Sequence, residues 1–344
     1  MKNKIYGLFI VMLIMLTTGC GTNNYIVDKD NKPIKYEVTG QYLQKNILCQ
    51  PSDKELYNLY KKYNKQMDNK VENLPKCDEY KVNSNKSTGL WEFIFVKPLA
   101  WLLLTTGSLV GNYGVAVIII GILIRLIVLP FSIKTQRQSE NMRKAQPELA
   151  RLEKKYQNRT DQQSMMMKSQ EMMSIYKKYK ISPMSGCLIA FIQLPVFFAF
   201  WQAINRVPAI FEGRLFGFNL GMTPSTGLAL GNYYYILLLI LIALSTYFSF
   251  RYSMKSNPMQ NNDMMKQTNM MVNIMTVMII FTSLTLSTAL SFYWITTYAF
   301  IAIQTFIFRR LSNNKNNDKI KSNKKEKIKD KIKVKEGMKY GKNN

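Results

Sequence analysis

The sequence predicts an all-α integral membrane protein with five transmembrane helices, an amphipathic interfacial helix and a cytoplasmic helical hairpin of coiled-coil type. Three observations carry this. First, apolar residues are gathered into blocks. Mean hydropathy is only -0.12 over the whole chain, yet residues 113–131, 187–203, 233–250, 271–286 and 289–308 are each long enough, or nearly so, to cross a hydrocarbon core of about 30 Å. Second, the charges of this +26 chain are concentrated between and beyond those blocks. Third, the segment between the first two blocks places apolar residues at coiled-coil spacing. Helices are expected because an isolated chain in lipid must satisfy its own backbone polar groups.

Taken in chain order, residues 1–19 carry two lysines, an apolar run and LTTG before Cys20, the shape of a secretory signal. The Gly19–Cys20 junction resembles a bacterial lipoprotein cleavage box, with Thr17 where that box usually has Leu; Cys20 would then be the lipidated mature N-terminus, the alternatives being an uncleaved anchor or ordinary cleavage. Residues 20–88 form an extracytoplasmic segment, rich in Asn, Lys and Tyr and poor in large aliphatics, partly helical at SDKELYNLYKKYNKQMDN. It holds Cys49 and Cys77, for which an exported location permits a disulfide, two free thiols being the alternative. Residues 89–109 are apolar but interrupted by Lys97 and Pro98 and flagged by Trp91 and Trp101, which suits a helix lying on the outer surface; a sixth span is the other reading.

Residues 134–182 continue as two helical arms. Met142, Ala145, Leu149, Leu152 and Tyr156 step by three and four, and Met165, Met172, Tyr176 and Tyr179 resume after the polar break 157–163. Met165, Met166, Met167, Met172 and Met173 offer an adaptable apolar surface, or a packing one. Beyond the core at 89–310, residues 311–344 form a basic tail suited to anionic lipid or ribosomal RNA, or serving only to fix orientation.

Loop charge sets the topology. Lys plus Arg number 12 in residues 134–182, 3 in 251–269 and 14 in 309–344, against 2 in 206–231 on the opposite side. The richer set is therefore cytoplasmic, with the N-terminus outside and the C-terminus inside.

Within this frame Arg125 stands out as the one ionised side chain inside the apolar blocks. A central charge costs roughly 2.5–3.5 kcal/mol on insertion scales, which points to a function, although Arg125 is only five residues from Pro130 and could snorkel. Amides and hydroxyls at Thr105, Thr106, Gln193, Thr246, Asn273, Thr276, Ser283, Ser291, Thr296 and Gln304 can hold water along the spans, or simply join helices. The chain has no histidine, the five blocks contain no Asp or Glu, and no phosphate loop or paired-cysteine motif occurs. An enzyme reading, a metal site and a cofactor have no residues to rest on, and a carboxylate proton relay is excluded. An anion channel or small-solute transporter using Arg125 is the competing class, weakened by the lack of an inverted repeat or basic ring; a scaffold recruiting partners through the tail is a third.

Four runs in order carry a family resemblance: NYGVAVIIIGILIRLIVLP, MRKAQPELARLEKKY, QEMMSIYKKYKISPMSGCLIAFIQLPVFFAFWQAI and SFYWITTYAFIAIQ. Together they resemble the YidC/Oxa/Alb membrane protein insertases, with Ser182 in place of the usual Asn; the lipoprotein-like start and the lack of a large extra domain look like the Gram-positive branch. The resemblance implies a hydrophilic groove open to cytoplasm and lipid, lined by Arg125, Gln193, Trp294 and Gln304, with Thr246 and Ser249 on the third span; Ser249 stands where the family often has Gln. Ser287 and Ala289 replace a family Pro-x-Gly, implying a less sharply bent turn between the last two spans. The implied partners are nascent membrane proteins, the Sec translocon and, through the tail, ribosome or anionic lipid, with no DNA and no cofactor.

Overall fold

The computed structural model describes residues 24–84, 89–159, 161–182, 185–255, 262–312 and 314; the signal sequence with Cys20 and nearly all of the basic tail lie outside them. The described part has three regions: an outer unit, a helical bundle and a projecting hairpin.

The outer unit builds a core of its own. Strands β1 (Lys35–Tyr36) and β2 (Gln41–Tyr42) pair antiparallel, and helix α1 (Lys54–Lys62) starts where the Asp53 carboxylate accepts from the Leu56 amide at 2.8 Å. Ile26, Leu43, Ile47, Leu56, Tyr60, Val71 and Leu74 bury together beneath them. The segment is thus more folded than its polar composition suggests, and a Cys49–Cys77 disulfide closes the loop that contains α1.

The bundle begins with α2 (Glu92–Val110), whose first residues make a π-helical turn, and α3 (Tyr113–Tyr156). Only two residues connect them. Gly111 adopts φ 72°, a left-handed conformation that suits glycine, and the Asn112 side chain accepts from the Gly114 and Val115 amides. Gly107 lies directly against the Tyr113 ring, where a Cβ would collide at 2.1 Å. The two helices therefore pack as a tight antiparallel pair.

The polar face of α2 turns inward. Glu92 and Lys97 are buried, while Phe93, Ile94, Phe95 and Trp101 are exposed. Glu92 turns inward to meet Arg206, whose Nη2 donates to Glu92 Oε1 at 2.6 Å, and Lys97 lies near the same carboxylate. By length and composition α2 is one of four described helices able to cross a membrane, with α3, Tyr234–Tyr252 and Thr288–Ser312.

Helix α3 also corrects a boundary. The first apolar block and the first hairpin arm form one helix of 44 residues, about 66 Å long, continuing through Pro130 and Pro147. The remaining bundle helices are α5 (Ser185–Asn205), α8 (Tyr234–Lys255), α9 (Asn262–Thr285) and α10 (Thr288–Ser312), so each of the five apolar blocks falls on a helix. Between α5 and α8 the chain forms α6 (Pro208–Glu212), a small hairpin of β3 (Arg214–Leu215) and β4 (Phe218–Asn219), and α7 (Pro224–Ala229). The turn from α9 to α10 is sharper than expected: two residues suffice, because the Thr288 and Ala289 amides donate to the carbonyls of Met222 and Leu220 at 3.0 and 2.9 Å. Hydrogen bonds to the α5–α8 connection replace what Pro-x-Gly would supply.

This outer connection anchors the outer unit. Arg206 Nε donates to the Asn46 carbonyl at 2.7 Å and its own carbonyl accepts from the Leu48 amide. Glu212 accepts from the Ser52 and Asp53 amides, and Thr39 accepts from the Thr223 amide. Leu48, Cys49, Cys77 and Tyr80 join the same buried cluster as Ile204, Val207 and Ile210.

The hairpin pairs the end of α3 with α4 (Gln162–Lys178). Ala145, Leu152 and Tyr156 are buried on the expected seam, but Met165 is exposed. Asp161 caps α4 through the Ser164 amide, setting the helix phase so that Ser164 faces inward instead. Met166, Met167 and Met173 are exposed beside Met165. Two crossed clasps hold the arms: Lys155 and Tyr156 reach Glu171, and Lys178 and Tyr179 reach Glu148, at 2.6–2.9 Å. The lysine first, then the tyrosine hydroxyl, holds each carboxyl below its ordinary range. With folded values lowered, this contribution is present above the ordinary carboxylate pKa and is lost as pH falls through the folded value.

Two predictions follow from the docked outer unit. Glu92→Ala, which leaves Arg206 buried without its carboxylate, costs roughly 3–5 kcal/mol. Replacing Cys49 and Cys77 by Ser, opening the loop of sequence separation 28, costs roughly 3–4 kcal/mol by loop entropy. Hydrogen exchange over residues 24–84 checks both: each variant should speed exchange there, and unchanged protection would show that the contacts contribute little.

Candidate functional site: a polar lining within the bundle

Arg125 sits on α3 twelve residues from its start, and the surrounding helices enclose it to 6% exposure. Its Nη2 donates to Gln193 Oε1 on α5 at 2.7 Å. No salt bridge among the described residues involves it. The charge is therefore held by a neutral amide, and its Nε makes no hydrogen bond.

The helix spacing that permits this is set by aromatic stacking. Phe200 and Phe197 of α5 stack on Tyr293 and Trp294 of α10, at ring separations of 4.0 and 5.8 Å. Gly121 on α3 faces the Tyr293 ring, where a Cβ would make ordinary contact with Cδ2 at 3.5 Å. Consecutive aromatics thus lock α10 onto α5, one ring each, with Arg125 beside them.

Of the expected lining residues, Thr246 and Ser249 are buried on α8, and Gln304 is half-buried on α10 with its Nε2 enclosed. Trp294 is buried by its stack on Phe197 and belongs to the aromatic wall. The member of the Tyr-Trp pair that faces Arg125 is Tyr293, fully buried, with a hydroxyl beside Arg125, Gln193 and Thr297 but in good hydrogen-bond geometry with none of them. Sequence reasoning missed Tyr293 and Thr297. The available signal was spacing: both lie on one face of α10, four residues apart.

Thr246 Oγ1, Ser291 Oγ, Tyr293 OH, Thr297 Oγ1, Gln304 Nε2 and Arg125 Nε are all buried without a hydrogen-bond partner within the chain. Each such atom costs about 1–3 kcal/mol unless something outside the chain pairs with it. So many on facing helices make a lining that favours polar guests, inside helices whose outward faces carry Leu126, Ile127, Leu241, Leu244 and Phe281. Towards the end of the bundle that carries residues 24–84, the lining is shut by the packed cluster of Phe200, Ile204, Leu215, Leu220, Ala289 and Leu290. The described residues contain no group of side chains suited to a metal ion.

Comparison with known proteins places the geometry in context. Residues 105–316 match the family described as the 60Kd inner membrane protein family. Among curated relatives, membrane protein insertase YidC 2 of Bacillus anthracis is 34% identical over 180 residues, 52% of this chain and 67% of that protein. Membrane protein insertase YidC of Alkalihalophilus pseudofirmus is 41% identical over 142 residues, 40% and 55%. Membrane protein insertase MisCA of Bacillus subtilis is 34% identical over 179 residues, 52% and 65%. The matched region thus spans 55–67% of the length of these relatives. Among solved structures, an active YidC insertase with its first transmembrane domain resolved aligns at 24% identity and a TM-score of 0.48, covering 66% of this chain and 48% of that one.

The lining generates its own test. Gln193→Leu removes the one hydrogen bond to Arg125 and should lower stability by about 2–3 kcal/mol, read as the thermal midpoint in detergent. Trp294→Phe keeps a stacking ring and should cost less than about 1.5 kcal/mol. The reverse order would place the constraint in the aromatic wall.

Proposed function

The chain belongs to the 60Kd inner membrane protein family, and from that premise we propose that it is a membrane protein insertase and chaperone, delivering newly made segments into the bilayer through the polar lining around Arg125. The observation that carries this reading is the buried Arg125, bonded to neutral Gln193 and bordered by unpartnered polar atoms. A translocating polar segment meets a barrier because its peptide and side-chain groups lose water in hydrocarbon. A lining that supplies donors and acceptors part-way across shortens that barrier. The open charge of Arg125 draws in the acidic or polar end of the substrate. Its apolar helix then leaves sideways past the exposed aliphatic flank, driven by hydrophobic transfer and requiring no nucleotide.

In this reading α3, α5, α8, α9 and α10 are the five spans and α2 rests in the outer interface. The N-terminus is outside, lipid-anchored at Cys20, and the C-terminus is cytoplasmic, as the loop charges require. The lining opens towards the cytoplasm and the packed cluster around Ile204 and Leu220 closes it outside. Gln193, Thr246, Ser249, Tyr293, Thr297 and Gln304 line the path. Nascent membrane proteins are the substrates, the Sec translocon is a partner for longer ones, and the tail engages ribosome or anionic lipid.

Insertion into proteoliposomes tests this directly. The substrate is a single-span protein with an acidic N-terminal tail, scored by protease protection. The full chain should protect it. Arg125→Ala should reduce protection about tenfold or more, the equivalent of one charge-assisted hydrogen bond, with a smaller effect on substrates lacking acidic residues. Equal protection of all substrates by the variant would remove the charge-attraction step, and no protection with either protein would remove autonomous insertion.

A further inference from the structure

At the end of the bundle that carries residues 24–84, the small β3–β4 hairpin presents an aromatic ring that the chain's own packing does not explain. Strands β3 and β4 pair Leu215 with Phe218, so only Phe216 and Gly217 form the turn. Both have positive φ, 51° and 83°, the type I′ combination that fits a two-residue hairpin. Gly217 takes this conformation freely. Phe216 does not, because the position favours Asn, Asp or Gly and a bulky side chain there is strained. Burial does not offset the strain: the Phe216 ring meets Phe292 only at a centroid separation of 6.3 Å, and the residue is 71% exposed. A strained aromatic held outward calls for a partner beyond the chain.

The hairpin's position identifies that partner. Leu215 seats on Gly114, whose added Cβ would stand 2.6 Å from the Leu215 Cβ, and the Arg214 carbonyl accepts from Asn112 Nδ2 at 3.1 Å. Phe218 stacks on Tyr234 at 4.4 Å, and Gly217 adjoins the same tyrosine ring. Gly114 and Tyr234 lie in the first turns of α3 and α8. The tip is therefore within about one helical turn, roughly 5 Å, of the level where two apolar helices begin. On α8, exposed Tyr234, Leu237, Leu241 and Leu244 follow at steps of three and four. Phe216 stands at the head of this stripe, the outward face of a membrane-crossing helix, and exposed Tyr233 stands beside it.

We propose that the β3–β4 hairpin is an interfacial anchor: Phe216, with Tyr233 and Tyr234, enters the headgroup–acyl boundary of the leaflet on the side of residues 24–84. Aromatic rings suit that layer, and the tyrosines can keep their hydroxyls on its wet side. The anchor matters for what the hairpin carries. Leu215, Phe218 and Leu220 belong to the packed cluster that shuts the lining, and the Leu220 carbonyl accepts from the Ala289 amide at the α9–α10 turn. Fixing the tip at one depth fixes that plug at the same depth. This consequence rests on the insertase reading, whereas the anchor itself does not.

The test uses the full chain in nanodiscs of phosphatidylcholine brominated either near the headgroup or near the end of the acyl chain. Phe216→Trp places a reporter at the tip, and its emission is the difference from the unaltered chain, which has four tryptophans. That emission should be blue-shifted, resist aqueous iodide, and be quenched about twofold or more strongly by shallow bromine than by deep bromine, as a ring at the interface requires. Tyr233→Trp leaves the strained turn untouched and should give the same order, so a disturbed hairpin cannot decide the result. Emission open to iodide and indifferent to bromine places the tip in water and overturns the proposal. Protection from both quenchers shows that protein covers the tip, and overturns the lipid. Stronger quenching by deep bromine overturns the interfacial depth. None of these readings uses insertion, so their failure leaves the insertase reading untouched.

Discussion

A guanidinium enclosed among membrane helices, with only an amide to hold it, is the constraint around which the bundle is arranged. Arg125 needs a hydrogen-bond acceptor at its depth, and α5 supplies one in Gln193. That bond requires α3 and α5 to stay in register, and the Phe197–Trp294 and Phe200–Tyr293 stacks fix α10 against α5 at the same level. Helix α3 meets α10 at Gly121, which faces the Tyr293 ring. The aromatic wall thus stands beside one charge placed where lipid would reject it.

The outer half shows the opposite solution to a similar problem. Arg206 is also buried, but it meets the Glu92 carboxylate at 2.6 Å and the Asn46 carbonyl at 2.7 Å. Lys97 lies buried in the same neighbourhood. These charges are committed to holding three segments together: α2, the end of α5 and the outer unit. The outer connection, fastened by Thr288 and Ala289 to the α9–α10 turn, completes a rigid cap. The molecule is therefore closed by satisfied polar contacts on one side and lined by unsatisfied ones deeper in.

Much of this is legible in the sequence, and the parts that are not share a cause. The apolar blocks, the seam at Ala145, Leu152 and Tyr156, and the isolation of Arg125 all follow from periodicity or from one charge in an apolar run, which are local properties. The inward turn of Glu92 is not local, because it depends on Arg206, more than a hundred residues away. The sharp α9–α10 turn depends on the Met222 and Leu220 carbonyls rather than on its own residues. The outer unit looks too polar to fold because its core is only a handful of aliphatics and a tyrosine, stapled by a disulfide that spacing alone leaves undecided. Tyr293 was hidden by the more conspicuous Trp294, and only the helix phase separates the ring that faces Arg125 from the ring that faces the wall.

The contrast between the two buried arginines argues for different uses of the same side chain. A buried ion pair with its remaining donors satisfied has little field left to offer a third party, and breaking it is costly. Arg206 is such a group, and structure is what it can provide. A buried guanidinium paired with a neutral amide keeps its full charge in surroundings of low dielectric, where attraction to an incoming anion is stronger than in water. Replacing Gln193 by a carboxylate would satisfy Arg125 better and would extinguish that field. The arrangement gives up stability at one point to leave a charge unspent inside a polar lining.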